Sequence, residues 1–264
     1  MTKSPSYIIV GKGRWGTRIH AMLNAEGRRA NFAERVRRQL EESSSDYKSR
    51  LMELFTSSSA QIAWLCVPPG SHVASLCAAA LAAGLHVIVE KPWLCSPEET
   101  KELQVIAQAK DLTTGVHFEY CLLSEVERWR RDYQQGAAME FSGIFTLNRG
   151  DRLGLPPIHN LGSHLLAIRQ YSVYNSKIAA IQCDYESADA RAIWLDAPKR
   201  RVATIDFLGS KEPIVQRYVD RFEASLNGLP FPFDLKFAMS VTEEITVLNN
   251  SAGQFVPAPS KNSV

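Results

Sequence analysis

No stretch of the 264-residue chain approaches the roughly 20 uninterrupted apolar residues that a membrane helix needs. The apolar run after "MTKSPSY" stops at glycines, too soon for a secretory signal or a span. A soluble, cytoplasmic protein without a membrane partner is therefore expected. Charge of one sign is missing too: 30 Lys and Arg stand against 28 Asp and Glu, for a formal net charge of +2. Nucleic-acid binders concentrate basic charge, so nucleic acid is not an expected partner. The cysteines are few, and nothing pairs them. Cys66, Cys77, Cys95, Cys121 and Cys183 form no CxxC and have no histidine at metal-ligand spacing, which excludes a disulfide framework and predicts no metal site. They read as reduced core residues. Internal repeats are absent as well.

What is present is enough apolar sequence for two cores: 45% of the residues are hydrophobic, and the length favours two domains. The first half alternates strand-like and helix-like segments. Tyr7 to Val10 is a strand, Thr17 to Ala25 places Ile19, Met22 and Leu23 on one helical face, and "RRANFA" is a weaker strand. "ERVRRQLEESSSDYKSRLMELFTSSSA" looks helical at its ends around a serine-rich middle, and the usual third strand of such folds is faint or missing. "QIAWLCVPP" reads as a buried strand stopped by a Pro-Pro-Gly turn. A helix from about His72 to Ala83, capped by Gly84, follows. "LHVIVEKP" is a strand, Ser96 and Pro97 open another helix, and "TTGVHFEY" is a further strand. This order predicts an N-terminal Rossmann-type doubly wound parallel sheet. After Glu119 a helix leads into "AMEFSGIFTLN", "IAAIQCDYES", "RAIWLDA" and "RRVATIDFLG", whose period-2 alternation suits an antiparallel sheet with one wet face. "IHNLGSHLLAIRQYSV" looks like a glycine-entered helix between the first two of these, and "PFDLKFAMSVTEEITVLNN" is an amphipathic helix before a polar tail expected to be disordered.

The stretch "IIVGKGRWGTRIH" places Gly11, Gly13 and Gly16 directly after an apolar strand. In a βαβ unit the first glycine permits the turn, the second lets backbone approach a pyrophosphate, and the third lets helix and strand pack closely. The phosphates then rest on the free N–H groups of the helix N-terminus. Alone, the pattern serves a structural turn equally well. Its position after a strand, with Glu34 about 20 residues on, favours a dinucleotide. Glu34 would accept from the adenosine ribose diol of NAD, whereas Arg35, Arg37 and Arg38 stand ready for the 2′-phosphate of NADP or form a solvated basic helix start. NAD versus NADP stays open.

"GKGRWG", "VPPGSH", "VEKPW", "GVHFEY", "HNLGSH" and the closing "LPFPFDLKFAMSVTEEI" together resemble the glucose-fructose oxidoreductase, inositol dehydrogenase and rhizopine catabolism (Gfo/Idh/MocA) superfamily, in its order and across nearly the whole chain. The resemblance implies a Rossmann domain at 1–120, a substrate and oligomerisation α+β domain with an open, mostly antiparallel sheet at 121–256, and a tail at 257–264. It implies homo-oligomers through that sheet, a small-molecule substrate, and NAD(P) held by Gly11, Lys12, Gly13, Arg14, Trp15, Gly16, Glu34, Arg35, Val67, Pro68, His72, Glu90 and Lys91. Lys91 of Glu-Lys-Pro, placed after the fifth core strand, would lie between nicotinamide and substrate. The substrate motif, roughly Asp-x-Gly-x-His in relatives, here runs from Asn160 to His164.

Hydride transfer to or from an alcohol carbon needs a proton moved in the same reaction, and Lys91 and His164 are the expected acid–base groups. Asn160 departs from the family aspartate: an amide orients a hydroxyl but does not carry a proton away. His117 and Glu119 stand where many relatives have asparagine and arginine. His117 is either a substrate contact or a buried, satisfied histidine; Glu119 is either a contact to a polar or cationic substrate or the partner of the arginine-rich helix after it. The expected reaction is NAD(P)-dependent oxidation or reduction of a sugar, cyclitol or nucleotide-sugar. Reduction of a cyclic imine or conjugated double bond, as in siderophore-like or bilin-like biosynthesis, and a non-catalytic cofactor-binding regulator are the alternatives.

Overall fold

The computed structural model describes residues 4–34, 36, 38, 41–70, 72–133, 139–150, 154–198 and 200–250. The expectations for Arg35, Arg37 and the tail at 257–264 lie outside the described residues. The chain divides into two compact units, Met1–His117 with Asp220–Met239, and Phe118–Val219 with Ser240–Val264.

The first unit is built on five parallel strands, β1 (Ser6–Val10), β2 (Arg29–Phe32), β3 (Ile62–Leu65), β4 (His86–Val89) and β5 (Thr114–Val116), in the order β2-β1-β3-β4-β5. β1 and β3 are wholly buried along their length, which is why they read as continuous apolar runs. Four helices connect the strands: α1 (Arg14–Ala25), α2 (Ser44–Thr56), α3 (His72–Ala82) and α4 (Pro97–Ala109). No strand lies between β2 and β3 among the described residues, so Glu-Lys-Pro follows the fourth strand of the chain rather than a fifth. The serine-rich middle expected between two helical ends is itself a helix start. Ser43 Oγ accepts from the Asp46 N–H at 3.1 Å and α2 continues to Thr56. Ser96 behaves as expected at α4, where a capping box closes: Glu99 N–H donates to Ser96 Oγ at 3.1 Å and Ser96 N–H to Glu99 Oε2 at 2.8 Å. Gly84, at φ +87°, ends α3 in a conformation that favours glycine.

The returning segment Asp220–Met239 is anchored to this sheet. Tyr7 Oη donates to Glu223 at 2.6 Å, and Arg28 donates to Glu223 at 2.8 Å and to Asp220 at 2.7 Å. On the open edge of β5, Val116 N–H donates to the Phe233 carbonyl at 2.8 Å.

The second unit carries a four-stranded mixed sheet, β6 (Glu140–Thr146), β7 (Lys177–Asp184), β8 (Ala190–Ala197) and β9 (Arg200–Asp206), ordered β7-β6-β8-β9. The β6–β8 and β8–β9 pairs are antiparallel, as the alternation predicts; β6 and β7 run parallel. A parallel pair needs a crossover, and α6 (Ser163–Val173) supplies it. A π-helical turn at Ile158–Gly162 leads into α6, and α5 (Ser124–Tyr133) precedes the sheet. "TTGVHFEY" splits: its first half is β5, while Glu119 begins a 3-10 turn, Glu119–Leu122. Two further helices follow among the described residues, α7 (Ile214–Ser225) and α8 (Leu235–Asn250). No helix among the described residues is long and apolar enough to cross a membrane.

Candidate active site

The sheet order reverses between β1 and β3, and the crevice beyond the carboxyl ends of strands at such a point is where open α/β sheets take ligands. A cleft of about 960 Å³ lies there. Gly11, Lys12 and Gly13 from the turn after β1 line it. So do Glu34 after β2 and Val67, Pro68 and His72 after β3.

The three glycines of the turn are not equivalent. A Cβ on Gly11, whose φ is +110°, would sit 2.3 Å from the Cys66 carbonyl oxygen, and one on Gly16 would sit 2.0 Å from the carbonyl oxygen of Gly11. Those two are required by the crossing of the turn over β3. A Cβ on Gly13 meets nothing within 4 Å. Gly13 is the N-cap of α1, and no side chain caps that helix: the first turn holds no acidic residue, in contrast to the serine caps of α2 and α4. Its leading N–H groups and the positive end of its dipole are left for an anion. Cradle and cleft fit a dinucleotide pyrophosphate.

Lys12 Nζ and Glu34 Oε1 form an exposed ion pair at 2.5 Å at this cleft. Arg38 also lines it, its Nε and Nη2 donating to the Glu42 carbonyl at 3.0 and 2.9 Å. The cleft thus holds both the carboxylate that suits a ribose diol and a cation that suits a 2′-phosphate. Arg14, the first residue of α1, is exposed and outside the cleft lining.

Glu90 and His117 are drawn together at the ends of β4 and β5. Trp64 Nε1 donates to Glu90 Oε1 at 2.9 Å, and His117 Nδ1 lies 3.1 Å from the same oxygen. His117 is fully buried, its ring edge-on to Trp64 at 5.1 Å and tilted to Trp15 at 5.7 Å. Trp15 Nε1 is buried without a hydrogen-bond partner among the described residues. Lys91, half-buried, follows Glu90 directly and precedes a cis peptide to Pro92. Nothing in the sequence pattern announced the Trp64–Glu90–His117 network, because its members are far apart in the chain.

The second unit positions the other candidates. His164 is buried at the start of α6, stacked on Phe145 at 5.4 Å and edge-on to Tyr120 at 4.7 Å. Asn160, in the π-helical turn, donates from Nδ2 to Tyr185 Oη at 2.9 Å. Glu119 is buried in its 3-10 turn. Beside it, burial and the neighbouring Glu119 and Glu127 push the Cys121 thiol up. All five cysteines are free thiols, and burial raises Cys95 and Cys183 to about 12, so they are held protonated at neutral pH. His159 is held below the ordinary histidine value by burial. Arg191 of β8, missed by the sequence reading, shares the aromatic bed of His164: its Nη1 donates to Tyr120 Oη at 2.9 Å and its guanidinium lies 5.0 Å from the Phe145 ring.

A parallel α/β sheet with an anion cradle at its switch point, joined to a mixed sheet unit, defines a dinucleotide-binding class of protein. Residues 6–118 match the model of the Gfo/Idh/MocA oxidoreductase family, with its NAD-binding Rossmann fold. An uncharacterized oxidoreductase of Schizosaccharomyces pombe is 27% identical over 138 residues, 45% of this chain; the chain spans only 35% of the length of that relative. Among solved structures, UDP-N-acetylglucosamine 3-dehydrogenase GnnA from Acidithiobacillus ferrooxidans superposes with a TM-score of 0.75 at 15% identity, covering 95% of this chain and 98% of that one. The WlbA dehydrogenase from Bordetella pertussis, in complex with NADH and UDP-GlcNAcA, superposes with a TM-score of 0.70 at 15% identity, covering 97% and 99%. At these identities the two likenesses speak for the fold.

Proposed function

We propose that this protein is an NAD(P)-dependent oxidoreductase acting at a hydroxyl or carbonyl carbon of a small polar substrate, with a nucleotide-linked sugar as the favoured class. The observation that carries the reading is the uncapped N-terminus of α1 opening, through Gly13, onto the cleft at the strand-order reversal. The nicotinamide dinucleotide supplies the hydride acceptor or donor. Every other contribution belongs to the chain. The turn from Gly11 to Gly16 holds the pyrophosphate on backbone N–H groups. Glu34 or Arg38 meets the adenosine ribose. The substrate class draws on the names of the solved relatives, two of which concern UDP-linked amino sugars.

Lys91 and His164 are assigned the proton. Lys91 is half-buried and His164 buried, and both side chains carry exchangeable N–H protons. Tyr120 and Phe145 fix the plane of the His164 ring from two sides. Asn160, committed to donating toward Tyr185, orients oxygen atoms and removes no proton. That amide also favours a second reading, reduction of a cyclic imine, in which the substrate carries no hydroxyl for a carboxylate to polarise. The mixed sheet of the second unit is proposed as the contact of a homo-oligomer.

The test is Lys91→Met, assayed by 340 nm absorbance with NADH and NADPH against UDP-N-acetylglucosamine and a cyclic imine. A general acid–base contributes about 10²–10⁴-fold to rate. The variant is expected to bind NAD(P)H normally and to lose kcat by that order. Undiminished turnover in the variant excludes Lys91 from the proton transfer, and failure of the wild-type protein to bind either dinucleotide refutes the oxidoreductase reading.

A further inference from the structure

Three half-buried arginines are neutralised by carboxylates. Arg28 reaches Glu223 at 2.8 Å, Arg50 reaches Glu42 at 2.7 Å, and Arg169 reaches Glu244 at 2.6 Å. Arg130 instead donates to the phenol of Tyr171 at 2.7 Å, and Arg191 likewise donates to the phenol of Tyr120. Among the described residues Arg191 has this one hydrogen bond, from Nη1, and its Nε is buried with no partner, which sets it apart from Arg130. The carboxylates nearest along the strands are engaged elsewhere: Asp189 accepts from the Asn148 N–H at 2.8 Å, and Asp206, paired with the neighbouring Ala192 in the β8–β9 ladder, accepts from the Leu208 N–H at 3.0 Å.

The bed on which Arg191 lies is apolar and aromatic. Its guanidinium carbon is 5.0 Å from the centroid of Phe145 and 6.0 Å from that of Tyr120. Such faces stabilise a cation without neutralising it. A guanidinium partly withdrawn from water, with one N–H unmet, costs stability that an apolar side chain of similar length would not. Arg191 is nonetheless partly exposed, so a ligand can reach it. The same two rings, Tyr120 and Phe145, carry the imidazole of His164. One platform therefore presents a candidate proton-transfer group and an unneutralised fork of donors, whose planar geometry matches a carboxylate.

We propose that Arg191 is an anchor for a carboxylate borne by the substrate, held on the same aromatic platform as His164. The proposal rests on the reading that the second unit holds the substrate, but it makes no use of the dinucleotide. A uronate-type sugar acid, rather than a neutral sugar, is the ligand class that follows. Phosphate esters are the competing anion; they ordinarily gather several cations, whereas here one guanidinium stands with a phenol and an imidazole.

The Nε–H resonance of Arg191 reads the site directly in a ¹H–¹⁵N spectrum, its assignment given by its loss in Arg191→Lys. Sodium glucuronate, glucose, sodium phosphate and sodium chloride are titrated at one ionic strength. The resonance is expected to shift saturably with glucuronate and to stay still with glucose and chloride. In Arg191→Met the glucuronate affinity, followed on the remaining amide resonances of β8, is expected to fall about tenfold or more. The melting temperature of that variant is expected to hold or rise, because the uncompensated charge is gone. A resonance that does not move, that moves equally with glucose or chloride, or that prefers phosphate overturns the proposal. So does an Arg191→Met variant that binds glucuronate as the wild type does. Turnover of a neutral nucleotide sugar together with no glucuronate response refutes the Arg191 anchor and leaves the oxidoreductase reading; a glucuronate response without any NAD(P)H binding does the reverse.

Discussion

Alanine at Gly13 and at Gly16 separates a glycine demanded by a ligand from one demanded by the fold. At Gly16 the new Cβ would lie 2.0 Å from the Gly11 carbonyl oxygen and 3.2 Å from Cys66 Cβ. The first contact is with backbone, so the start of α1 must move away from β3. Overpacking of that kind costs about 1–3 kcal/mol, and more where the backbone itself gives way. At Gly13 the same methyl meets nothing within 4 Å, and φ −69°, ψ 176° is a conformation that any residue adopts. Alanine is a poorer N-cap than glycine, by an amount on the order of 0.5–1 kcal/mol, but it removes about 0.4–1 kcal/mol of unfolded-chain entropy. The two nearly cancel. Gly13→Ala is therefore expected to unfold in urea within about 0.5 kcal/mol of the wild type, and Gly16→Ala to lose about 2–3 kcal/mol. Binding reverses the order of interest. If a pyrophosphate rests against Gly13, the methyl costs about 1–3 kcal/mol of binding, or roughly 5- to 150-fold in Kd for NADH or NADPH by fluorescence titration. A Gly13→Ala protein that is stable and binds both dinucleotides within about twofold of the wild type refutes the cradle assignment. A Gly16→Ala protein as stable as the wild type refutes the steric account of the turn.

Two further outcomes concern stability. Arg28, with 12% of its side chain exposed, pairs with Glu26, Asp220 and Glu223, of which only Glu223, at 16%, is largely buried, so Arg28→Ala leaves that carboxylate unpaired and is expected to cost about 1–3 kcal/mol in denaturant unfolding, with Tyr7→Phe costing about 1 kcal/mol through the lost bond to Glu223. His86 Nδ1 accepts from the Thr113 N–H at 2.9 Å, and burial holds its pKa below the ordinary 6.5 while Asp111 pulls it back. The unfolded chain then binds the proton more readily, so stability is fully present above the ordinary value and declines as pH falls below it. Urea midpoints from pH 7.5 down to about 5 should drop, and His86→Gln should flatten that dependence; a flat wild-type profile would contradict the burial of a neutral imidazole.

The sequence by itself determined the parts of this protein that depend on neighbours in the chain. The glycine turn after Ile8–Val10, the serine and proline that start α4, Gly84 after α3 and the alternation through β6, β8 and β9 are set by local backbone preference and by a period of two or 3.6. The motifs carried the family resemblance and, with it, the expectations for Lys91, Asn160 and His164. One local feature was also within reach and was missed: Tyr218, Val219 and Phe222 are fully buried at helical spacing on α7. The serine-rich run before α2 was read as an interruption, although Ser43 with Asp46 is a cap.

What tertiary structure alone decided are pairings between distant residues, which no periodicity encodes. Segment Asp220–Met239 returns to the parallel sheet because Glu223 and Asp220 meet Arg28, some 195 and 192 positions away, and Phe233 pairs with the edge of β5. The parallel pairing of β6 with β7 follows from the α6 crossover rather than from the alternation of either strand. His117 could have been a pocket residue or a core histidine on sequence grounds; burial against Trp15, Trp64 and Glu90 places it in a packed polar network. Gly13 and Gly16 look alike in the motif, yet only close approach of backbone distinguishes them. Arg191 carries no motif at all. Its significance lies in a buried Nε without a partner and in having no ion pair among the described residues, a property of the space about a side chain and not of its neighbours in the chain.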